Sequence, residues 1–389
     1  MHTTVNDTLP PLMQEANDLT RAHRLHDGGM ASRRRCVCVC VDDFGLHSGI
    51  NAAVLDLSQR KRIGATGCMV DGPAWASGAA ALRQLPASQL DVGLHFDLTE
   101  ARLAPQRTSS ISPANGALQA GSKLPLRQII IASYRQQLDS DWLAAEVTRQ
   151  LDAFEAAMQR PPAFVDGHQH VHQLPQVREA LLAELQRRYP AQEASPSSAA
   201  SITASSTTSG ATNPATPPAR PWLRCTRPAL RGLKAASAGA ANAFKASVIG
   251  CLGAAELARQ AQAAGFAMSR ALSGVYGFDG SAARYQRLLA LWLQHSQHGD
   301  VLMCHPSASV VEGDAIASAR CIEYQVLAAE SWEQILPPAN VPIAPHSGGG
   351  ALPLPASKQP ALLASLPSAL HGCKRHKMAS GSLRWHKAA

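Results

Sequence analysis

Aspartate and histidine side chains stand at the ends of several short apolar runs of this sequence. Asp42 and Asp43 follow the run from Cys36 to Val41, and His95 lies near the end of a second run. Further members of the same pattern are Asp166, His168, His170 and His172 after the run from Ala163, and His305 after the run from Val301. Carboxylates and imidazoles together are ligands of divalent metal ions, and such ions often keep open positions for water. The pattern therefore predicts a divalent metal site.

The pair Asp42–Asp43 is the strongest member of this pattern. Burying adjacent carboxylates at the end of an apolar strand costs several kcal/mol unless a cation or hydrogen-bond donors compensate. The cluster His168, His170 and His172 also favours a function, because it directly follows a buried strand and Asp166. A single histidine at a strand end is more often an ordinary hydrogen-bonded residue. We therefore assign no role to histidines that stand alone, such as His47, His295 and His298.

Strand-like and helix-like patterns alternate along the chain and would bring these residues together. Apolar residues at helical spacing predict a helix around Ile50–Leu57, one over Leu143–Met158, one after Pro175 and one around Tyr285–Trp292. The short apolar runs between them predict strands. This alternation predicts parallel strands with helical crossovers, hence an α/β fold. The carboxyl ends of such strands form one face, on which distant residues converge.

Composition divides the 389 residues into one large domain with appendages. Residues 1–34 show no periodicity and predict a flexible extension. Residues 195–218 contain Ser, Thr, Ala, Pro and Gly but no charged residue, which predicts a disordered insertion. Residues 346–389 carry six Lys or Arg and no acidic residue, so we expect a basic disordered tail. The remaining range, 35–345, has the size of one α/β barrel.

Charge and hydropathy exclude several classes of protein. The net charge is +8, but the tail supplies most of it, so the nearly neutral body does not indicate a nucleic-acid-binding fold. No apolar run reaches the roughly 18 residues of a membrane-spanning helix, and no secretory signal precedes the first strand. We therefore expect a cytoplasmic protein without an integral membrane segment.

The nine cysteines predict a reduced core rather than a metal cluster. Cys36, Cys38 and Cys40 alternate with valine and would share one face of a strand. Zinc clusters usually use turns of the form Cys-x-x-Cys instead. A free cysteine packs as a small apolar residue, which suits a reducing compartment.

Four segments of the sequence together resemble one known family. They are Asp42-Asp43-Phe-Gly-Leu, Gly-Leu-His95-Phe-Asp-Leu-Thr, Asp166-Gly-His168-Gln-His170-Val-His172 and Met-Cys-His305-Pro. In this order they resemble the YdjC-like carbohydrate deacetylases, which include chitooligosaccharide deacetylases and hopanoid-associated deacetylases. The resemblance covers roughly residues 35–345. His47 and Gly167 depart from it, since the family usually has serine at both positions.

The resemblance implies a fold, a metal and a reaction. The fold would be a distorted TIM-like (β/α) barrel. One divalent cation, Mg²⁺ by preference and Zn²⁺ or Mn²⁺ as alternatives, would be held by Asp43, His95 and His168. Asp42 would be the general base, and the substrate would be an acetylated sugar that loses its N-acetyl group as acetate.

The chemistry of amide hydrolysis agrees with these implied roles. An amide is a poor electrophile, so the enzyme must activate water and stabilise an oxyanion, and a metal ion can do both. The leaving amine needs a proton, for which His305 is our candidate donor from its position at a strand end. Asp166 or a backbone carbonyl would orient a ligand imidazole through its second nitrogen. His170 and His172 stay open between a supporting role and the surface.

Two other functions remain open at this point. The chain could be another barrel metallohydrolase acting on an ester or phosphoester, or an inactive binding protein that uses its basic tail. An inactive protein would have lost a ligand, and none of the Asp and His set is missing. The sequence also leaves open which sugar or glycolipid is the substrate, which metal is bound in the cell and whether the chain forms a homodimer.

Overall fold

The computed structural model describes residues 36–99, 125–191, 219–230, 237–332 and 343–347. All of them belong to one structural unit, Cys36–Ala389. The predicted extension 1–34 and the predicted insertion 195–218 lie outside the described residues. So does the predicted tail beyond Ser347.

Seven parallel strands form one sheet in the order β5-β4-β3-β2-β1-β7-β6. The strands are β1 (Cys38–Phe44), β2 (Ala65–Cys68), β3 (Asp91–Phe96), β4 (Phe164–Gly167), β5 (Trp222–Leu223), β6 (Leu272–Ser273) and β7 (Val301–Cys304). Because every paired strand runs parallel, the segments between them must cross back over the sheet, as the alternating pattern predicts.

Helices fill most of these crossovers. They are α1 (Ser48–Gln59), α2 (Trp75–Arg83), α3 (Leu126–Tyr134), α4 (Ser140–Met158), α5 (Val177–Arg188), α6 (Ala240–Cys251), α7 (Ala254–Ala263), α8 (Ala282–His295) and α9 (Ala317–Ala328). A 3₁₀ segment, His168–Gln173, directly follows β4. None of the helices in the described ranges is long and apolar enough to cross a membrane.

Backbone hydrogen bonds join the two edges of the sheet. The amide of Leu223 in β5 donates to Ala267 O (2.9 Å), and the amide of Ser269 donates back to Leu223 O (3.0 Å). Leu272 in β6 donates to Arg227 O (2.8 Å). The curled sheet is therefore closed by the segments that flank its edge strands, and the predicted α/β, TIM-like barrel is confirmed.

The alternating cysteines and valines of β1 face two different cores. Cys38 and Cys40 lie in the barrel interior with Phe164, Trp222 and Met303. The valines on either side of them pack into the larger core between sheet and helices. Side chains alternate across a strand, which explains this division. The eight described cysteines are free thiols, and five of them are buried as the sequence predicts, whereas Cys36 and Cys321 are half-buried and Cys251 is exposed.

The segment 343–347 covers the amino end of the barrel. The amide of Ser347 donates to Asp91 Oδ2 (2.9 Å), its hydroxyl donates to Oδ1, and Trp222 Nε1 also donates to Asp91 Oδ2 (3.1 Å). The ring of His346 lies 4.5 Å from that of Trp222. Two residues of the predicted tail thus pack against the barrel, at the end opposite to the predicted site.

Candidate functional site

Asp42 and Asp43 both line one cavity at the carboxyl end of β1. Regular alternation would point them to opposite sides of the sheet. However, Val41 pairs with Thr66 and Phe44 with Cys68, so β1 holds one residue more than β2 over this stretch. The backbone at Asp43 has a positive φ of 68°, a left-handed conformation that aspartate tolerates better than most residues. This β-bulge brings both carboxylates to the same cavity.

Asp43 lies between two histidines, one on β3 (His95) and one directly after β4 (His168). His168 Nδ1 is 3.0 Å and His95 Nε2 is 3.4 Å from the same oxygen, Asp43 Oδ1. One potential ligand atom of each residue lies within 4.8 Å of the others, and all three residues are buried. The structure therefore brings together the three ligands that the sequence resemblance implies.

This donor set fits a divalent cation. Two ligand atoms that bind one cation at about 2.1 Å, at right angles, lie about 3 Å apart. The separations from Asp43 Oδ1 to the two imidazole nitrogens, 3.0 and 3.4 Å, are of this size. A carboxylate with two imidazoles suits Mn²⁺ and Zn²⁺, and Mg²⁺ with additional water.

Asp166 orients His95. Nδ1 of His95 donates to Asp166 Oδ1 (2.7 Å), so Nε2 points toward Asp43. A carboxylate behind the ligand imidazole is a common feature of metal sites. Burial alone would lower the pKa of His95, but the carboxylates of Asp166 and Asp42 outweigh it and raise that pKa to about 9.

Arg224 binds the carboxylates of Asp42 and Asp166 at once. Its Nη1 donates to Asp42 Oδ2 (2.7 Å) and its Nη2 to Asp42 Oδ1 (2.6 Å). Nη2 also lies 2.7 Å from Asp166 Oδ2 and donates to Cys40 Sγ (2.9 Å). The guanidinium is fully buried, and burial opposes its charge, but the two carboxylates raise the pKa of Arg224 well above its ordinary value. Arg224 therefore fixes Asp42 relative to Asp166, the carboxylate that bonds His95.

Arg320 binds the far side of Asp43. Its Nη2 donates to Asp43 Oδ2 (2.7 Å), and its Nε donates to Asp314. Burial would raise the pKa of Asp43, but Arg320 and His168 hold that pKa well below its ordinary value. Asp43 is therefore ionised, as a metal ligand must be.

His305 lies beside Asp42 at the end of β7. Its Nε2 is 3.9 Å from Asp42 Oδ2, and its backbone amide donates to Glu323 Oε2. Burial lowers the pKa of His305 to about 4, although Asp43 and Asp42 act in the opposite direction. At neutral pH this imidazole is therefore uncharged and must gain a proton before it can act as an acid.

The other two histidines of the 168–172 cluster differ in their exposure. His170 lines the same cavity as Asp42 and Asp43. His172 is fully buried, and its Nε2 lies 3.1 Å from Arg224 O. His172 is therefore not a surface residue, whereas His170 is partly buried at the cavity.

The two departures from the family pattern have local explanations. His47 is the N-cap residue of α1, and its Nδ1 accepts a hydrogen bond from Gly49 N (3.0 Å). A serine hydroxyl often accepts the same kind of hydrogen bond at a helix N-cap. At Gly167, a β-carbon would lie 2.8 Å from His172 N, which is too close for serine on this backbone. Gly167 itself lines the cavity.

Sequence reasoning missed the buried arginines and Glu323. Arg224 follows directly after the strand Trp222–Leu223, and a charged residue in such a buried stretch was the available signal. Arg320 and Glu323 lie on α9, where nothing in the spacing indicates their distant partners. Burial raises the pKa of Glu323 to about 7, and Tyr276 donates to its Oε1 (2.7 Å).

Comparison with known proteins supports the same reading of the chain. The family model described as YdjC-like protein matches residues 36–337. Chitooligosaccharide deacetylases of Yersinia enterocolitica (serotype O:8 / biotype 1B) and Yersinia pestis (strain Pestoides F) are each 34% identical over 143 residues, 37% of this chain and 53% of theirs. The match thus spans about half the length of these curated relatives.

One solved structure has a similar fold. A protein of Enterococcus faecalis V583, named for a proposed role in cellobiose-phosphate cleavage, superposes with a TM-score of 0.52 and 15% identity. The superposition covers 81% of this chain and 98% of that one. At this identity the likeness concerns the fold alone.

Proposed function

Since the chain belongs to the family of YdjC-like proteins, we propose that it is a metal-dependent hydrolase that removes the N-acetyl group of an amino sugar. One observation carries the proposal. One potential ligand atom from each of Asp43, His95 and His168 lies within 4.8 Å of the others, and the carboxylate of Asp42 lines the same cavity. The name of the Yersinia relatives supports a carbohydrate amide as the substrate. A chitooligosaccharide or a lipid-linked amino sugar would provide it.

Asp43, His95 and His168 would hold the cation, Mg²⁺ by preference. When bound, a divalent cation polarises the acetyl carbonyl and makes water more acidic. Arg320 keeps Asp43 ionised, and Asp166 keeps the Nε2 of His95 directed toward the site. These contacts prepare the ligands before the substrate arrives.

Asp42 would act as the general base. Arg224 holds its carboxylate in one orientation with two hydrogen bonds, so Asp42 is fixed at the cavity. It would take a proton from the water that attacks the acetyl carbon. A base positioned in this way contributes about 10²–10⁴-fold to the rate.

His305 would deliver a proton to the leaving nitrogen. Its Nε2 lies 3.9 Å from Asp42 Oδ2, so the proton that Asp42 removes from water has a short path to the imidazole. The carbon–nitrogen bond then breaks, the nitrogen leaves as an amine, and acetate is the second product. A neutral His305 suits this order, because it receives its proton only after Asp42 has acted.

Acetate release from a panel of N-acetylated sugars tests the proposal. We expect turnover with added Mg²⁺, Mn²⁺ or Zn²⁺, loss of turnover after chelation and recovery when the metal is restored. Phosphate and ester hydrolysis are measured in parallel on matched substrates. Release of phosphate without release of acetate would contradict the proposed reaction and favour a phosphoesterase.

A further inference from the structure

Gln169 and His170 are two polar residues of the cavity that the proposed mechanism does not use. They directly follow His168 and line the same cavity as Asp42 and His305. Their side-chain atoms Gln169 Oε1 and His170 Nδ1 are buried and have no hydrogen-bond partner within the part of the chain that the structure describes. Buried polar groups without partners are rare in proteins, and each one costs free energy in the folded state.

The backbone at these two residues is also unusual. Gln169 has a φ of 51° and His170 a φ of 63°, so two consecutive residues with side chains adopt the left-handed conformation. Glycine adopts this conformation without a steric penalty, whereas other residues do not. Conformations of this kind are concentrated at sites where a side chain must be held in a set position. The fold thus holds two unpartnered polar side chains at the cavity at a cost in stability.

Apolar side chains also contribute to the cavity lining. Val275 and Phe278 are two of them, together with Ile249 from α6. A pyranose ring has C–H groups that suit such a wall, and hydroxyl groups at its rim that need hydrogen-bond partners. The cavity therefore combines the two kinds of surface by which a sugar ring is bound.

We propose that Gln169 and His170 determine substrate specificity by hydrogen-bonding the sugar that carries the acetamido group. Oε1 of Gln169 accepts a hydrogen bond from one hydroxyl group of the sugar, and Nδ1 of His170 bonds another. This inference rests on the proposed function and names the groups that select its substrate. Both residues act by positioning the sugar, since the bond-breaking steps belong to Asp42 and His305.

The first experiment compares stability with activity in Gln169→Leu and His170→Leu. Removing an unpartnered buried polar atom should leave Tm unchanged or raise it, and metal content should stay the same. In contrast, kcat/KM for the sugar substrate should fall on the order of tenfold or more, because the sugar loses a hydrogen-bond partner. Gln169→Glu and His170→Asn keep a polar atom near the original position and should retain more activity than the leucine variants.

Gln159→Leu is the matched control. Gln159 also has a positive φ, of 56°. However, it is the C-cap residue of α4, on the amino side of β4 and therefore away from the cavity, and its Nε2 donates to Ala156 O. This variant should keep the wild-type kcat/KM. Leucine variants at 169 and 170 that also keep the wild-type kcat/KM would overturn the inference. Leucine variants that lose Tm together with metal content would also overturn it and would indicate a structural role.

A substrate series then separates this inference from the proposed function. Each leucine variant is assayed with the sugar and with its monodeoxy analogues. We expect one analogue per variant for which wild type and variant become equally active, because the lost hydroxyl is the partner of the lost side chain. A wild type that releases no acetate from any sugar overturns the proposed function. An active wild type, with a variant whose loss persists on every analogue, overturns only the inference.

Discussion

Asp42 and Asp43 are consecutive residues of one strand, yet both carboxylates line the same cavity. The bulge at Asp43, with its φ of 68°, makes this possible. Each carboxylate forms an ion pair with a different arginine, Asp42 with Arg224 and Asp43 with Arg320. Each aspartate therefore has its own counter-charge despite their adjacency, which fits the different roles proposed for them.

Replacing Arg224 by methionine should strongly destabilise the protein. The variant leaves Asp42 and Asp166 buried without their shared cation, and breaking a buried ion pair in this way costs about 3–5 kcal/mol. Urea unfolding measures the loss. The control is Arg259→Met, since Arg259 forms an exposed pair with Glu256 that should contribute little to stability. Equal losses in the free energy of unfolding of both variants would contradict the claim that Arg224 stabilises the buried carboxylates.

Metal affinity should rise with pH. In protein stripped of metal by chelation, His95 has a pKa of about 9, so it carries a proton below that pH, which a cation must displace. The apparent affinity should therefore increase about tenfold per pH unit between pH 6.5 and 8.5, with release of about one proton, as titration calorimetry in buffers of different ionisation enthalpy measures.

Asp166→Asn provides the control for this pH dependence. It removes the carboxylate that bonds His95 Nδ1, so the pKa of His95 should fall and the pH dependence should become shallower. An affinity that is constant with pH in the wild type would show that His95 does not exchange a proton for the metal.

The segment 343–347 should contribute to stability. Truncation after residue 342 removes both hydrogen bonds from Ser347 to the buried Asp91, and we expect a loss of about 1.5–3 kcal/mol in the free energy of unfolding. Truncation after Ser347 keeps these bonds and serves as the control. If both truncations behave alike in urea unfolding, the contact with Asp91 has no energetic importance.

Much of the site could be predicted from sequence because parallel strands bring their carboxyl ends to one face. That rule placed four polar clusters together, and the family resemblance then singled out Asp43, His95 and His168 as the ligands. The strand Val301–Cys304 has the predicted bounds, and the helix over Leu143–Met158 starts only three residues earlier, at Ser140. Clear periodicity and flanking prolines explain this agreement.

The unpredicted features depend on contacts between distant parts of the chain. Strand β1 continues through Phe44 rather than ending at Val41, and the bulge at Asp43 arises from its pairing with β2. Arg224 reaches Asp42 across 182 positions of sequence, and Arg320 reaches Asp43 across 277. The short strands β5 and β6, of two residues each, are too brief for a periodic signal.

Metal content and acetate release, measured together for Asp42→Asn and Asp43→Asn, test the account most directly. Asparagine nearly preserves the shape of aspartate, so the comparison isolates charge and proton transfer from packing. Asp43→Asn should lose both the metal and turnover. Asp42→Asn should keep the metal while turnover falls about 10²–10⁴-fold. Loss of metal in Asp42→Asn with retention in Asp43→Asn would reverse the two roles, and full activity in both variants would contradict the deacetylase mechanism itself.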